Sequence, residues 1–122
     1  LINNDEAYPF LIFDMKSEEL IGELNINNVQ RGVLQSCSIG YWISKDKIGL
    51  GFMSESINLI KNFIFNELNL HRIEAACLES NVSSLNVLKN NDFHFEGIAR
   101  KYLKINGKWQ DHLIYSCLET ED

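Results

Sequence analysis

The chain has 122 residues, of which 45% are hydrophobic and 23% are charged, a balance that is typical of one folded globular domain and excludes disordered and collagen-like chains. Lys and Arg number 11 and Asp and Glu number 17, so the net charge of -6 gives no general support for binding nucleic acid. No segment approaches the roughly 20 consecutive apolar residues that a membrane helix needs, and we therefore expect a soluble protein without a membrane partner.

The cysteines and the first residue indicate the cellular setting and the extent of the domain. Cys37, Cys77 and Cys117 are far apart and form no Cys-x-x-Cys pair, which argues against a disulfide framework or a zinc site. We therefore expect no bound metal, and a reducing, cytoplasmic location. The chain begins with Leu1 rather than Met, so we expect residues 1–122 to be a single domain that lacks its natural N-terminal segment.

Three strands are predicted before any long helix. Residues 10–15 form a short apolar run after Pro9, which is typical of a buried strand. Apolar and polar residues alternate over residues 20–28 and again over residues 34–43, and Gly32 lies between the two segments. This pattern predicts an antiparallel hairpin of two half-buried strands.

The period of the apolar residues then changes from two to that of a helix. From Gly51 onward they are separated by four, three, four and four residues, which predicts one buried stripe made of Met53, Ile57, Ile60, Ile64 and Leu68. Residues 71–78 alternate again and follow the helix closely, so we expect a strand that returns parallel to residues 34–43. Together these segments predict a βαβ unit.

A second helix and a hairpin complete the chain. Asn81 is a favourable N-cap, and the run Asn90-Asn91-Asp92 predicts the end of that helix. Residues 95–105 and 108–118 are joined by Asn106-Gly107, a strong signal for a tight turn. The predicted order β-β-β-α-β-α-β-β indicates a mixed α/β fold (α+β), with a mostly antiparallel sheet around a central parallel βαβ unit.

The segment between the third strand and the first helix is a candidate anion site. Residues 46–53 contain Gly49 and Gly51, which let the backbone approach a ligand, and we expect bare amides at residues 48–53 beside a helix N-terminus. Such amides favour a phosphate or pyrophosphate group. A turn whose amides bind water is the alternative. A dinucleotide fingerprint fits less well, because Ser54 replaces its third glycine and only one parallel crossover is predicted.

Several motifs together resemble the GNAT superfamily of acetyl-CoA-dependent N-acetyltransferases, and most of all its RimJ and RimL branch. They are Leu-Ile-Gly-Glu-Leu-Asn-Ile at 20–26, Ser-Ile-Gly-Tyr-Trp-Ile at 38–43, Gly-Leu-Gly-Phe-Met at 49–53, Leu-His-Arg-Ile-Glu-Ala at 70–75, and Asn81-x-x-Ser84-x-x-Val87-Leu88. The resemblance implies an acyl-CoA N-acyltransferase fold without its N-terminal strand and helices.

The resemblance also implies a reaction, the transfer of an acetyl group from acetyl-CoA to a primary amine. In the RimJ and RimL branch the acceptor is the N-terminal amine of a ribosomal protein, which would be a basic partner for this acidic chain. Acceptors such as polyamines or antibiotics remain open, as does a non-catalytic module that only binds acyl-CoA. Both a monomer and a homodimer are compatible with the sequence.

By the same resemblance, two segments and two side chains bind the coenzyme. The pyrophosphate is expected at Ile48, Gly49, Leu50, Gly51, Phe52 and Met53. The pantetheine arm is expected to pair like an added strand with Tyr41, Trp42 and Ile43. Asn81 and Ser84 are expected near the thioester. The chain departs from the family pattern at Asp46, where Gln or Arg is usual, at Asp92, where Gly is usual, and at Leu88, where many relatives have a tyrosine that serves as general acid.

Three residues are candidates for acid and base catalysis. Ser84 is expected to donate to the departing sulfur, while the backbone N–H of Trp42 or Ile43 polarises the carbonyl; alternatively, Ser84 only bonds its own helix. Glu23 and Glu74 are candidate bases, with solvated or salt-bridged carboxylates as the alternative. Two histidines, His71 and His112, stay open as further candidates, because imidazole is the side chain most suited to acid and base catalysis at neutral pH.

Overall fold

The computed structural model describes residues 6–119, which form one mixed sheet flanked by helices. The elements follow the predicted order. They are β1 (Tyr8–Phe13), β2 (Leu20–Gln30), β3 (Ser36–Ile43), a 3₁₀ turn (Lys45–Lys47), α1 (Phe52–Asn62), a π-helical turn (Phe63–Glu67), β4 (Arg72–Cys77), α2 (Val82–Asn90), β5 (His94–Ile105) and β6 (Lys108–Leu118). No helix in this part of the chain has the length and apolar content to cross a membrane.

The sheet has six strands in the order β1-β2-β3-β4-β6-β5. Neighbouring strands are antiparallel except for β3 and β4, which are parallel and are connected through α1. The predicted fold class is confirmed, since a single parallel crossover lies at the centre of an otherwise antiparallel sheet. The hairpin between β5 and β6 turns at Asn106 and Gly107, whose φ angles of 51° and 80° are those the sequence predicts for this turn.

The expectation for the first strand is wrong in its bounds and in its burial. Strand β1 begins at Tyr8 and includes Pro9, which is tolerated because β1 is an edge strand and needs fewer ladder donors. It ends at Phe13 because Asp14 opens the following turn, where its carboxylate accepts from the N–H of Lys16 at 2.9 Å. Exposure alternates along β1, so the run is half-buried rather than buried.

The predicted first helix has the expected extent but two backbone geometries. Helix α1 passes into the π-helical turn, where the N–H of Leu68 donates to the carbonyl of Phe63 at 3.0 Å, five residues earlier. In an α-helix each four-residue step turns a side chain about 40° beyond a full turn. The wider π turn reduces this drift and keeps Ile60, Ile64 and Leu68 on the buried side.

The core lies between the sheet and the helices. Its fully buried members come from β2, α1, the π-helical turn, β4 and α2, and include Leu24, Ile26, Ile57, Ile64, Ile73 and Leu88. The three cysteines are free thiols on β3, β4 and β6, with exposures of 3%, 6% and 3%. The prediction that they are small buried residues is confirmed.

Substitution of Ile73 tests how much the packing of this core stabilises the fold. Ile73 lies on the central strand β4 and has no exposed surface. We expect Ile73→Ala to lower the free energy of unfolding by about 2 to 5 kcal/mol, because it removes buried methyl groups and leaves a cavity. Urea denaturation measures the change. The matched control Ile98→Ala, on β5 and more than half exposed, should stay within about 0.5 kcal/mol of the wild type.

Candidate functional site

A groove opens where the parallel strands separate. The ladder between β3 and β4 joins Ser36 to Ile39 with Arg72 to Ala75. Within the described part of the chain, the next four residues of β3, 40–43, pair with β2 alone. One edge of their backbone therefore faces a groove of about 800 Å³, and helix α2 forms the opposite wall. Alternate N–H and C=O groups along this edge are directed into the groove.

The loop at one end of the groove presents backbone amides. Gly49 and Gly51 have φ angles of 82° and 91°, and open space surrounds the position where a Cβ would lie. Helix α1 makes its first helical hydrogen bond from Glu55 to the carbonyl of Gly51, at 3.0 Å. The N–H groups of residues 52–54 consequently have no helical acceptor. This part of the prediction, an anion cradle at a helix N-terminus, has the expected geometry.

The predicted cradle needs one correction. The N–H of Ile48 donates to the carbonyl of Lys45 at 3.4 Å, as part of the 3₁₀ turn. Among the described residues, the amides of the loop without a protein acceptor therefore begin at Gly49 rather than at Ile48. No local pattern in residues 45–48 predicts this bond, because the 3₁₀ turn follows from the path of the chain after β3.

Charge at this end of the groove comes from a lysine that the sequence analysis did not select. Lys47 lines the groove, and its Nζ lies 3.5 Å from Asp14 Oδ2 in the turn after β1. Asp46, in contrast, is exposed and is not among the lining residues. The side chain of Asp46 therefore does not enter the groove, whereas that of the neighbouring Lys47 does.

Most of the predicted coenzyme-binding residues line this one groove. They are Tyr41, Trp42, Ile43, Ile48, Gly49, Gly51, Met53, Asn81 and Ser84. Leu50 and Phe52 do not line it, so their side chains are not positioned to bind a ligand there. Sequence reasoning missed Lys47, Ser54, Val82, Ser83, Asn86, Val87 and Asn90. The spacing of Val82, Asn86 and Asn90, four residues apart on α2, was the available signal for this wall.

The other end of the groove is built around Ser84. Asn81 caps helix α2 as predicted, and its side chain accepts from the N–H of Ser84 at 3.2 Å. Ser84 is only 8% exposed, and its hydroxyl lies 2.7 Å from the hydroxyl of Tyr41. The Ser84 hydroxyl also lowers the pKa of the Cys77 thiol, against the larger effect of burial. The bonded partner of this hydroxyl is thus a residue of strand β3 and not its own helix.

Burial keeps the groups around Ser84 neutral. It raises the pKa of Tyr41 to about 12, and it raises the pKa of the Cys77 thiol as well. Both groups therefore stay protonated at neutral pH. This end of the groove offers neutral hydroxyl and thiol groups, whereas the opposite end offers amides and a lysine.

Glu74 lies in an ion-pair network outside the groove. Its Oε2 accepts from Arg72 Nε at 2.9 Å. Arg72 also binds Glu96 through two hydrogen bonds of 2.9 and 2.6 Å, and Ser116 donates to the same carboxylate at 2.5 Å. Mainly through Arg72, the pKa of Glu96 falls to about 2. Glu74 is therefore salt-bridged to Arg72, which is the alternative to a catalytic base that the sequence left open.

The remaining candidate bases also lie outside the groove lining. Glu23 is on β2 opposite Trp42, and His71 is exposed just before β4. His112 is buried on β6, where its Nδ1 lies 3.1 Å from the carbonyl of Gln110. The lining, as far as the described residues define it, contains no carboxylate and no imidazole. Those residues likewise include no group of three or more His, Cys, Asp or Glu that could hold a metal ion.

A family model decides which group of proteins this arrangement belongs to. The model described as "Acetyltransferase (GNAT) domain" matches residues 1–94 of the chain. The chain belongs to the GNAT acetyltransferase family. The resemblance drawn from the sequence motifs is confirmed, and so is the GNAT fold, a mixed sheet with a central parallel pair.

Three similar proteins describe its place among the GNAT proteins. The chain is 43% identical over 121 residues to the probable N-acetyltransferase YjcK of Bacillus subtilis, covering 99% of this chain and 67% of that protein. It is 35% identical to the [Ribosomal protein uS5]-alanine N-acetyltransferase of Escherichia coli, covering 95% of this chain and 59% of that protein. Mycobacterium smegmatis RimJ, solved in complex with CoA-disulfide, superposes with a TM-score of 0.88 at 34% identity, covering 93% of this chain and 54% of that one.

The binding of coenzyme A tests whether the amides beside Gly51 form an anion site. We expect Gly51→Ala to raise the Kd for coenzyme A at least about fivefold, about 1 kcal/mol, because the backbone relieves the strain of a Cβ at φ 91° by turning the neighbouring amides away from the bound anion. Isothermal titration calorimetry measures the Kd. The control Gly32→Ala, at φ 74° in the turn between β2 and β3, carries the same strain away from the groove. Equal Kd values for the two variants would contradict the cradle.

Proposed function

We propose that this chain transfers an acetyl group from acetyl-CoA to a primary amine, most favourably the N-terminal amine of a protein. The observation that carries the proposal is the groove itself. Free amides and Lys47 lie at one end, an unpaired strand edge at residues 40–43 runs along it, and the Ser84 hydroxyl lies at the other end. The first end suits an anion, the strand edge suits an extended arm that contains amides, and the Ser84 end suits a thioester.

The residues of the groove suit the three parts of the coenzyme. The amides from Gly49 to Ser54 and the ammonium group of Lys47 would hold the pyrophosphate. The edge of β3 at residues 40–43 would hydrogen-bond the amides of the pantetheine arm as an added strand does. When bound, acetyl-CoA supplies an activated thioester. No metal is needed for this chemistry.

Two groups of the chain would act on the reacting atoms. The Ser84 hydroxyl would donate a hydrogen bond from Oγ to the sulfur as negative charge develops there, while the proton that the attacking amine loses passes to water. The backbone N–H of Trp42 or Ile43 would donate to the carbonyl oxygen of the acetyl group. Both roles need only groups that already line the groove.

The choice of an N-terminal amine rests on the absence of a base from the described lining. An α-amine has a pKa of about 8, so about a tenth of it is neutral at pH 7, whereas a lysine amine with a pKa of about 10.4 is almost wholly charged. The α-amine therefore attacks directly with little help. Glu23 and Glu74 remain candidate bases that would act from outside the groove.

The partner we propose is a ribosomal protein in the cytoplasm. One of the relatives named above is a [Ribosomal protein uS5]-alanine N-acetyltransferase. The net charge of -6 attracts basic chains of that kind, and the buried free cysteines suit a reducing compartment. We propose that residues 1–122 form one acetyltransferase domain.

Thiol release from acetyl-CoA tests the reaction and its acceptor. Three acceptors separate the alternatives: a peptide with a free N-terminal alanine, the same peptide acetylated at its N-terminus but with a free lysine, and spermidine. We expect kcat/KM to be at least about tenfold higher for the free N-terminus than for the lysine peptide. Coenzyme binding without release would indicate a non-catalytic module, and faster release with spermidine would contradict a protein acceptor.

A substitution tests the role of Ser84. We expect Ser84→Ala to lower kcat about tenfold or more, since the departing thiolate loses its donor, while the Kd for coenzyme A changes less than about twofold. Steady-state kinetics and calorimetry measure the two quantities. Ser38→Ala, on β3 outside the groove lining, is the control and should retain the wild-type kcat. An unchanged kcat in Ser84→Ala would remove this residue from the mechanism.

A further inference from the structure

The contact between Tyr41 and Ser84 joins the two walls of the groove. Tyr41 lies on β3 and Ser84 in the first turn of α2, and their hydroxyl oxygens are 2.7 Å apart. The two residues are 43 positions apart in the chain, so this bond depends on the tertiary packing of α2 against β3. A side chain that contacts the proposed proton donor directly is placed to control where that donor points.

The number of available hydrogens decides which oxygen donates. Each hydroxyl carries one hydrogen and accepts through its lone pairs. Among the described residues, the Tyr41 hydroxyl has no hydrogen-bond partner besides Ser84, whereas Ser84 has Cys77 as a second neighbour. Because a partly buried phenol hydrogen needs an acceptor, the arrangement in which Tyr41 donates to Ser84 satisfies the phenol. The hydrogen of Ser84 is then not used in the bond to Tyr41.

We propose that Tyr41 is a positioning residue: by donating to Ser84 Oγ, it fixes the Ser84 hydroxyl with its hydrogen free for the sulfur of the coenzyme. This inference rests on the proposed function and adds a residue to it.

The ionisable groups beside Ser84 stay protonated over the pH range in which the coenzyme thiol begins to ionise. Tyr41 faces it from β3 and Cys77 from β4, and burial raises the pKa of both. Asn81 is neutral and holds the backbone N–H of Ser84. Lys47 lies at the opposite end of the groove. The pH dependence of the preference for the sulfur-containing ligand therefore belongs to the coenzyme thiol.

Binding of coenzyme A and of its sulfur-free analogue dethio-CoA tests the inference without turnover. A donor aimed at the sulfur favours the thiolate, so it lowers the pKa of the bound thiol below the ordinary value of about 8.5. The wild-type affinity for coenzyme A relative to dethio-CoA should therefore rise as the pH increases toward 8.5. Calorimetry from pH 6.5 to 8.5 measures both Kd values.

The variants separate positioning from packing. We expect Tyr41→Phe to lose most of this rise, as Ser84→Ala does, and to lower kcat roughly three- to tenfold, with the Kd for dethio-CoA unchanged within about twofold. Tyr115→Phe is the matched control, because Tyr115 is a buried tyrosine on β6 that packs against Phe95 away from the groove. It should behave as the wild type does.

Three outcomes would overturn the inference. The first is a full pH-dependent preference in Tyr41→Phe. The second is a loss of affinity for both ligands by the same factor, which would indicate that the phenol only packs α2 against β3. The third is a wild-type preference that does not change with pH. If the wild-type chain binds neither ligand, the proposed function itself fails, and that result is distinct from the other three.

Discussion

The site depends on one feature of the sheet, the early end of the parallel ladder between β3 and β4. The ladder stops after Ile39 and Ala75, while β3 continues to Ile43 along β2. Gly22 permits this close pairing, because a Cβ there would lie 2.5 Å from the carbonyl oxygen of Trp42. The free edge at residues 40–43 exists because β2 supports β3 from one side while β4 diverges on the other. Backbone groups in that groove need hydrogen-bond partners, which is why an extended ligand suits them.

The two helices complete the groove, α1 through its N-terminus at one end and α2 along the wall opposite β3. The loop before α1 presents amides from Gly49 onward, and Lys47 adds a positive charge to that end. At the start of α2, Asn81 holds the backbone while the Ser84 hydroxyl extends toward Tyr41. An acidic protein with a net charge of -6 thus keeps carboxylates out of the described groove lining. The carboxylates Glu74 and Glu96 instead share hydrogen bonds with Arg72.

Local signals in the sequence predicted most of the architecture. The Asn106-Gly107 turn, the Asn81 cap and the change of period at Gly51 each depend on residues a few positions apart, so they do not require knowledge of the fold. The first strand was misplaced because an apolar run does not indicate which of its residues face the core. The π-helical turn was missed because the four-residue spacing after Ile60 is also compatible with a drifting α-helix.

The sequence by itself determined the order of the elements, the family, and the loop and helix that line the groove. Only the tertiary structure decided how their side chains meet. The Tyr41–Ser84 bond, the pairing of Glu74 with Arg72 and Glu96, and the entry of Lys47 rather than Asp46 into the groove all join or orient residues through strand register and helix placement. Periodicity fixes the face on which a side chain lies, but the neighbour across the strand or helix is set by packing, which no local pattern encodes.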